Sequence, residues 1–235
     1  MLRIHLSILA LAFAAELFGQ SPLVVARLTG PITFDGVPDE EAWLIIPAVP
    51  MVMYVPVAGG TPTEESIVKL AYDDNYLYLS AYLNHADPAN IRAVGKKRDY
   101  AMPATDWFGF IVDSFNDRQN AFAFWTNPNG LRTDGTVKND CNDSETDINF
   151  SWNTFWDVKT TINPKGWSVE ERIPFSSLRF QVKGGKTAMG IIITRFDAAK
   201  YETSTFPSVP AGFSNAFWKP SLTGLVEFNG LKPRK

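Results

Sequence analysis

The chain has 235 residues, of which 45% are hydrophobic and 13% aromatic, and a formal charge of −3. That allows one large domain with a full core, or two small ones, and leaves no basic footprint for nucleic acid. A single cysteine, Cys141, excludes an internal disulfide framework, and with only His5 and His85 the chain is poorly equipped for a zinc site or a Ser-His-Asp triad.

Residues 1–20 carry Arg3, an apolar run from Leu6 to Ala15, and small or polar residues at Gly19, Gln20 and Ser21. This is the pattern of a secretory signal peptide, too short to span a bilayer as a helix. It predicts an exported protein, periplasmic, outer-membrane-associated or extracellular, whose mature domain covers 21–235. One Arg and one Glu leave together with the leader, so the charge stays at −3.

After residue 21 nearly everything reads as β. "ITFDGVPDEEAW" (32–43) runs a short strand into an Asp35-Gly36 turn, then a helical turn that Asp39 is expected to cap, with Glu40 and Glu41 at its start and Trp43 anchored in a core. "SIVKLAYDDNYLYLSAYL" (66–83) is a hairpin around Asp73-Asp74-Asn75 in which Leu77, Leu79, Ala81 and Leu83 share one face. Residues 106–115 and 120–127 form a second hairpin turning at Asn116-Asp117-Arg118-Gln119, with Phe122 and Phe124 on one side and Ala121, Ala123 and Trp125 on the other. The polar, acidic run 139–151, which contains Cys141, reads as an exposed loop. Residues 155–175 make a third hairpin, placing Trp167, Val169, Glu171 and Ile173 on one face and Ser168, Glu170 and Arg172 on the other. Glu170 or Arg172 would pair with Arg179, Arg195 or Glu202 across the sheet. "AMGIIITRFD" (188–197) is continuously apolar, as expected of a central strand. Helical pattern is limited to turns near Glu40–Trp43, Asn90–Val94 and Ser176–Leu178. Short strands with Gly, Pro, Asn and Asp turns predict an all-β chain forming a single jelly-roll-like sandwich.

Five segments, in this order, resemble carbohydrate-binding module family 9 and its DOMON-like relatives. They are "ITFDGVPDEEAW", "KLAYDDNYLYLSAYL", the block from Arg98 to Gly135, "WDVKTTINPKGWSVEERIPFSSLRF", and the closing pair "GIIITRFDAAKYETSTFP" and "LTGLVEFNGL". The likeness covers about residues 30–231 and is greatest to modules at the N-terminus of large outer-membrane β-barrel proteins of Gram-negative bacteria. It implies a non-catalytic carbohydrate-binding module associated with glycoside hydrolysis and polysaccharide catabolism. It also implies an oligosaccharide or polysaccharide ligand, a β-barrel partner in cis or trans, and structural calcium.

Sugar recognition needs flat aromatic faces and planar polar groups. Trp125 is the first candidate for an exposed platform, because Ala121 and Ala123 beside it are small, and Asn127, Asn129, Arg132 and Asp134 follow within nine residues. Trp107, at the start of a strand, is the second candidate, and Trp152 sits in the polar insertion. The alternative for each indole is the core. For calcium, Asp113, Asn116 and Asp117 share one turn, and Asp140, Asp143 and Asp147 share the insertion. Neither has EF-hand spacing, and solvated turn acids are the alternative. Two functions remain open beside sugar binding: a partner-binding periplasmic module without sugar affinity, and a glycosidase using two carboxylates.

Overall fold

The computed structural model describes residues 21–95, 97–99, 104–184, 186–213 and 215–231, so the leader expected over 1–20 lies outside the described residues. Strands form where the side chains alternate. They are β1 Val52–Val55, β2 Ser66–Tyr72, β3 Tyr76–Asn84, β4 Trp107–Asp113, β5 Ala121–Thr126, β6 Thr133–Val137, β7 Asp157–Asn163, β8 Gly166–Pro174, β9 Lys186–Asp197, β10 Glu202–Phe206 and β11 Gly224–Phe228. Two-residue strands extend the sheet edges.

Two sheets result. In the first, the order is β11–β9–β4–β5–β6. The apolar β9 is central: one edge pairs with β4, the other with β11 along its first half and β10 along its second. β1 adds outside β10. The second sheet runs β7–β8–β3–β2. The N-terminal segment touches both, pairing Leu23–Val24 with β11 and Ala26–Arg27 with β2.

The inward faces make the core. Leu77, Leu79, Leu83, Trp167, Val169 and Ile173 meet Phe108, Phe110, Phe124, Met189, Ile191 and Ile193, all buried. Each such side chain contributes about 1.5–3 kcal/mol when removed from water. Past Ile193, Arg195 reaches across to the second sheet. It donates to the Glu65 and Asn84 carbonyls and, at 2.8 Å, to Ser66 Oγ. Beside it, His85 Nε2 lies 3.1 Å from Asp106 Oδ2, and Asp106 Oδ1 accepts from the Ala198 N–H.

The opening corner packs on the outer face of the second sheet. Its short helix, α1 (Glu41–Leu44), starts one residue later than expected: the N-cap is Glu40, not Asp39, and it makes no side-chain cap. The Glu40 carboxylate turns back to accept from the Thr33 N–H. Trp43 is fully buried, as its position in the corner predicts. Glu170 does not pair across the sheet. One carboxylate oxygen accepts from the Asp35 and Gly36 N–H groups and the other from Trp43 Nε1, all at 3.0–3.1 Å. Arg172 pairs with Asp157 at 2.8 Å on the neighbouring strand. Near Asn90 the chain makes one 3₁₀ turn, Pro88–Asn90, which Asp87 caps.

Candidate functional site

The outer face of the first sheet is not open to solvent. Residues 207–213 and 215–223 return over it, with two 3₁₀ turns at Ala216–Trp218 and Pro220–Leu222. They bury Val209, Ala216 and Trp218 against Trp107, Ile111, Ala123, Trp125 and Ile192. Trp125 is 1% exposed, its ring 5.1 Å from Trp218 and 5.9 Å from Phe217. It is therefore core, not an exposed platform. The small residues beside it make room for partners that arrive from some ninety residues further along the chain. Trp107 is also 1% exposed, in the same layer.

The polar residues after Trp125 are each bonded to other parts of the chain. Asn127 is buried and builds its own turn: its Oδ1 accepts from the Asn129 and Leu131 N–H groups, and its Nδ2 donates to the Val94 carbonyl. Asn129 is exposed and donates to the Ala93 and Gly95 carbonyls. Arg132 donates to the Trp156 carbonyl at 2.8 Å. Asp134 lies on the inward face of β6, fully buried, paired with Arg98 and accepting from the Thr154 N–H. These four hold loops to the sheet. Trp152, half-buried, stacks on Phe122 at 4.9 Å.

The acidic turns are also internally bonded. Asp113 accepts from the Asp117 and Arg118 N–H groups, and Asp117 from the Gln119 and Asn120 N–H groups and the Asn120 amide. Asn116 supplies a left-handed backbone position, φ 51°. In the insertion, Asp140 accepts from the Ser221 N–H and hydroxyl, Asp143 caps α2 (Ser144–Asp147), and Asp147 accepts from Asn139 Nδ2 and the Asp143 N–H. Among the described residues, no group of three or more His, Cys, Asp or Glu side chains is placed to hold a metal ion. The insertion is more structured than a loop, and Cys141 within it is buried; burial pushes its thiol up.

Above this second layer of packing lies a cleft of about 500 Å³ between the insertion and the returning segment, lined by Asn142, Asp143, Glu145, Phe213, Asn215 and Lys219 among others. Its volume falls within the range of small-molecule sites. Lys219 Nζ donates to the Asp140 carbonyl at 2.7 Å and to Asn142 Oδ1 at 3.2 Å, and sits 6.0 Å from the centre of the Phe213 ring. The Phe213 carbonyl accepts from the Tyr54 hydroxyl, holding this loop to β1. Phe213 is 45% exposed. Phe150, also partly exposed, stands edge-on to Trp218 below, in space that Gly135 leaves: a Cβ there would come within 3.3 Å of the ring. The cleft thus joins a wet aromatic face to amides, carboxylates and an oriented ammonium. A second cleft, of about 510 Å³ at the opening corner, is lined by Thr29, Pro31, Glu40, Glu41, Ala42 and Ile45 and presents no aromatic ring. Sequence reasoning did not mark this cleft. The polar insertion signalled Asn142, Asp143 and Glu145, but nothing local marks Phe213, Asn215 or Lys219 as their partners.

Known structures share this architecture. A family 9 carbohydrate-binding module from Caldicellulosiruptor kristjanssonii in complex with glucose superposes with a TM-score of 0.61 at 22% identity, over 92% of this chain and 99% of that one. A family 9 module from the same organism in complex with cellotriose gives 0.59 at 20%, over 92% and 100%. A candidate carbohydrate-binding protein from Bacteroides uniformis gives 0.66 at 14%, over 88% and 99%. No family model and no curated protein sequence matches the chain. The fold is that of the family 9 carbohydrate-binding modules, a two-sheet β-sandwich.

Proposed function

We propose that the chain is a non-catalytic carbohydrate-binding module that takes a soluble oligosaccharide, or the end of a polysaccharide, in the cleft between the insertion and the stretch that carries Gly212, Phe213, Asn215 and Lys219. The observation that carries this reading is the cleft itself: one exposed aromatic face, Phe213, beside the planar side chains of Asn142, Glu145 and Asn215. Sugars present C–H faces to rings and vicinal hydroxyls to amides and carboxylates. The two similar structures that hold glucose and cellotriose support the ligand class.

The leader pattern at 1–20 supports a site of action outside the cytoplasm, periplasmic, outer-membrane-associated or extracellular, in the service of polysaccharide catabolism. The resemblance to modules of outer-membrane proteins supports a β-barrel partner.

Isothermal titration with glucose and cello-oligosaccharides tests the reading. Phe213→Ala should weaken binding by roughly two- to twelvefold, the worth of one aromatic contact, and leave the melting temperature unchanged. Unaltered affinity in that variant would remove the cleft from consideration. A partner-binding module without sugar affinity is the second reading. It is favoured by the burial of Trp43, Trp107, Trp125, Trp156, Trp167 and Trp218, which leaves those indoles no face for a sugar. Absence of binding to any glycan at millimolar concentration would select it.

A further inference from the structure

Alternation along β8 carries Glu171 onto the inward face with Trp167, Val169 and Ile173. Its side chain is 0% exposed, and among the described residues no donor hydrogen-bonds either carboxylate oxygen. Its surroundings are apolar on every side. Val169 and Ile173 flank it on its own strand; Leu79 of β3 and Val158 of β7 lie directly across. The opposite sheet presents Phe108, Phe110, Phe124, Met189 and Ile191.

The charged and titratable groups of the packed elements are engaged elsewhere. Glu170 and Arg172, its sequence neighbours, point to the other face of the sheet, towards the opening corner and Asp157. Arg195, inward on β9, is held at Asn84, five residues along β3 from Leu79. Asp134, inward on β6, is paired with Arg98. Tyr72, two strands away, donates its hydroxyl to the Asn229 carbonyl.

An ionised carboxylate with neither a counter-charge nor a donor pays a desolvation cost that nothing returns, whereas the neutral acid pays far less. We propose that Glu171 stays protonated in the folded module and that its ionisation loosens the sandwich as pH rises, making it a pH-sensitive device in the centre of the core. Burial alone pushes its carboxyl well above the ordinary glutamate value. The direction follows from the proton balance. The folded state keeps the proton and the unfolded state releases it to solvent above its ordinary value near 4.3, so each pH unit above that favours unfolding until the folded group itself ionises.

The test compares wild type with Glu171→Gln by denaturant unfolding between about pH 5 and pH 8. The unfolding constant should rise with pH more steeply in wild type, by up to about tenfold more per pH unit. The subtraction removes every other titrating group, Glu170 included. If the glutamine variant does not fold, Glu171→Met supplies the same comparison, with a side chain suited to the apolar slot. Infrared spectra at neutral pH should show a protonated-carboxyl C=O band that disappears in the variant. Superimposable pH slopes, or no such band in the wild type, would overturn the proposal.

Discussion

Glu170 is the side chain that fastens the opening corner to the sandwich, and its neighbour Gly36 is the residue that lets the corner come close enough. Gly36 sits at φ +92°, and a Cβ there would fall 2.7 Å from the Thr160 nitrogen of β7. Only glycine satisfies both the backbone angle and the approach. With the chain that near, the Asp35 and Gly36 N–H groups and Trp43 Nε1 all reach one carboxylate. Burial pushes the Glu170 carboxyl up, against the pull of those three donors. Glu170→Ala leaves the donors buried without an acceptor and should cost at least ~2 kcal/mol in denaturant unfolding. Glu170→Gln, which keeps one acceptor oxygen, should cost less. Trp125 is the other residue whose role is settled by its neighbours. Trp125→Ala empties a site closed by Trp218 and Phe217, and a loss of about 3–5 kcal/mol is expected. A melting temperature within a few degrees of wild type would show instead that the indole is not packed.

At the scale of elements, the β4–β5 hairpin shows how an acidic cluster becomes a turn. Asp113 accepts the Asp117 and Arg118 N–H groups and Asp117 those of Gln119 and Asn120, so the turn is held by its own donors without an ion. Millimolar calcium should therefore leave the melting temperature unchanged. A rise that is lost in Asp113→Ala would show that the turn opens to take the ion. Burial pushes the Asp117 carboxyl up, but bonds from the Asn120 amide and the Gln119 and Asn120 N–H groups outweigh it and hold the carboxyl below its ordinary value. The stability this adds is complete above the unfolded aspartate value near 4 and is lost as pH falls through the lowered folded value. Asp117→Asn should flatten the acid limb of the stability profile below about pH 4, as read by thermal unfolding.

For the molecule as a whole, the returning segment 207–223 turns the outer face of one sheet into a second core and, in the same move, forms one wall of the candidate sugar cleft. Trp218→Ala should expose the Trp107–Trp125 layer, raise the fluorescence of a hydrophobic dye, and destabilise the protein by about 3–5 kcal/mol. An unchanged dye signal would mean that the segment covers the sheet without this anchor.

Local pattern was sufficient for β2 to β5 and β7 to β9, the three hairpins among them, the central place of β9 and the grouping of side chains by face on β3 and β8, but it did not mark β1 or β6. Period-two alternation and the Asp, Asn and Gly turn residues act over neighbouring positions, and such short-range physics is written in order along the chain. It was enough even to put Glu171 on the Trp167 face, although not to show that this face is the dry interior. What covers an outward face is another matter. Trp125 beside two alanines reads alike whether water or Trp218 stands opposite, and Asp134 reads alike whether a hydroxyl or Arg98 pairs with it. Asn142 and Phe213 become neighbours only when strands distant in sequence lie side by side. Those contacts depend on how the two layers and the returning segment pack, which spacing along the chain does not encode, so the tertiary structure alone decided that Trp107 and Trp125 are core and that the insertion faces Phe213 across a cleft.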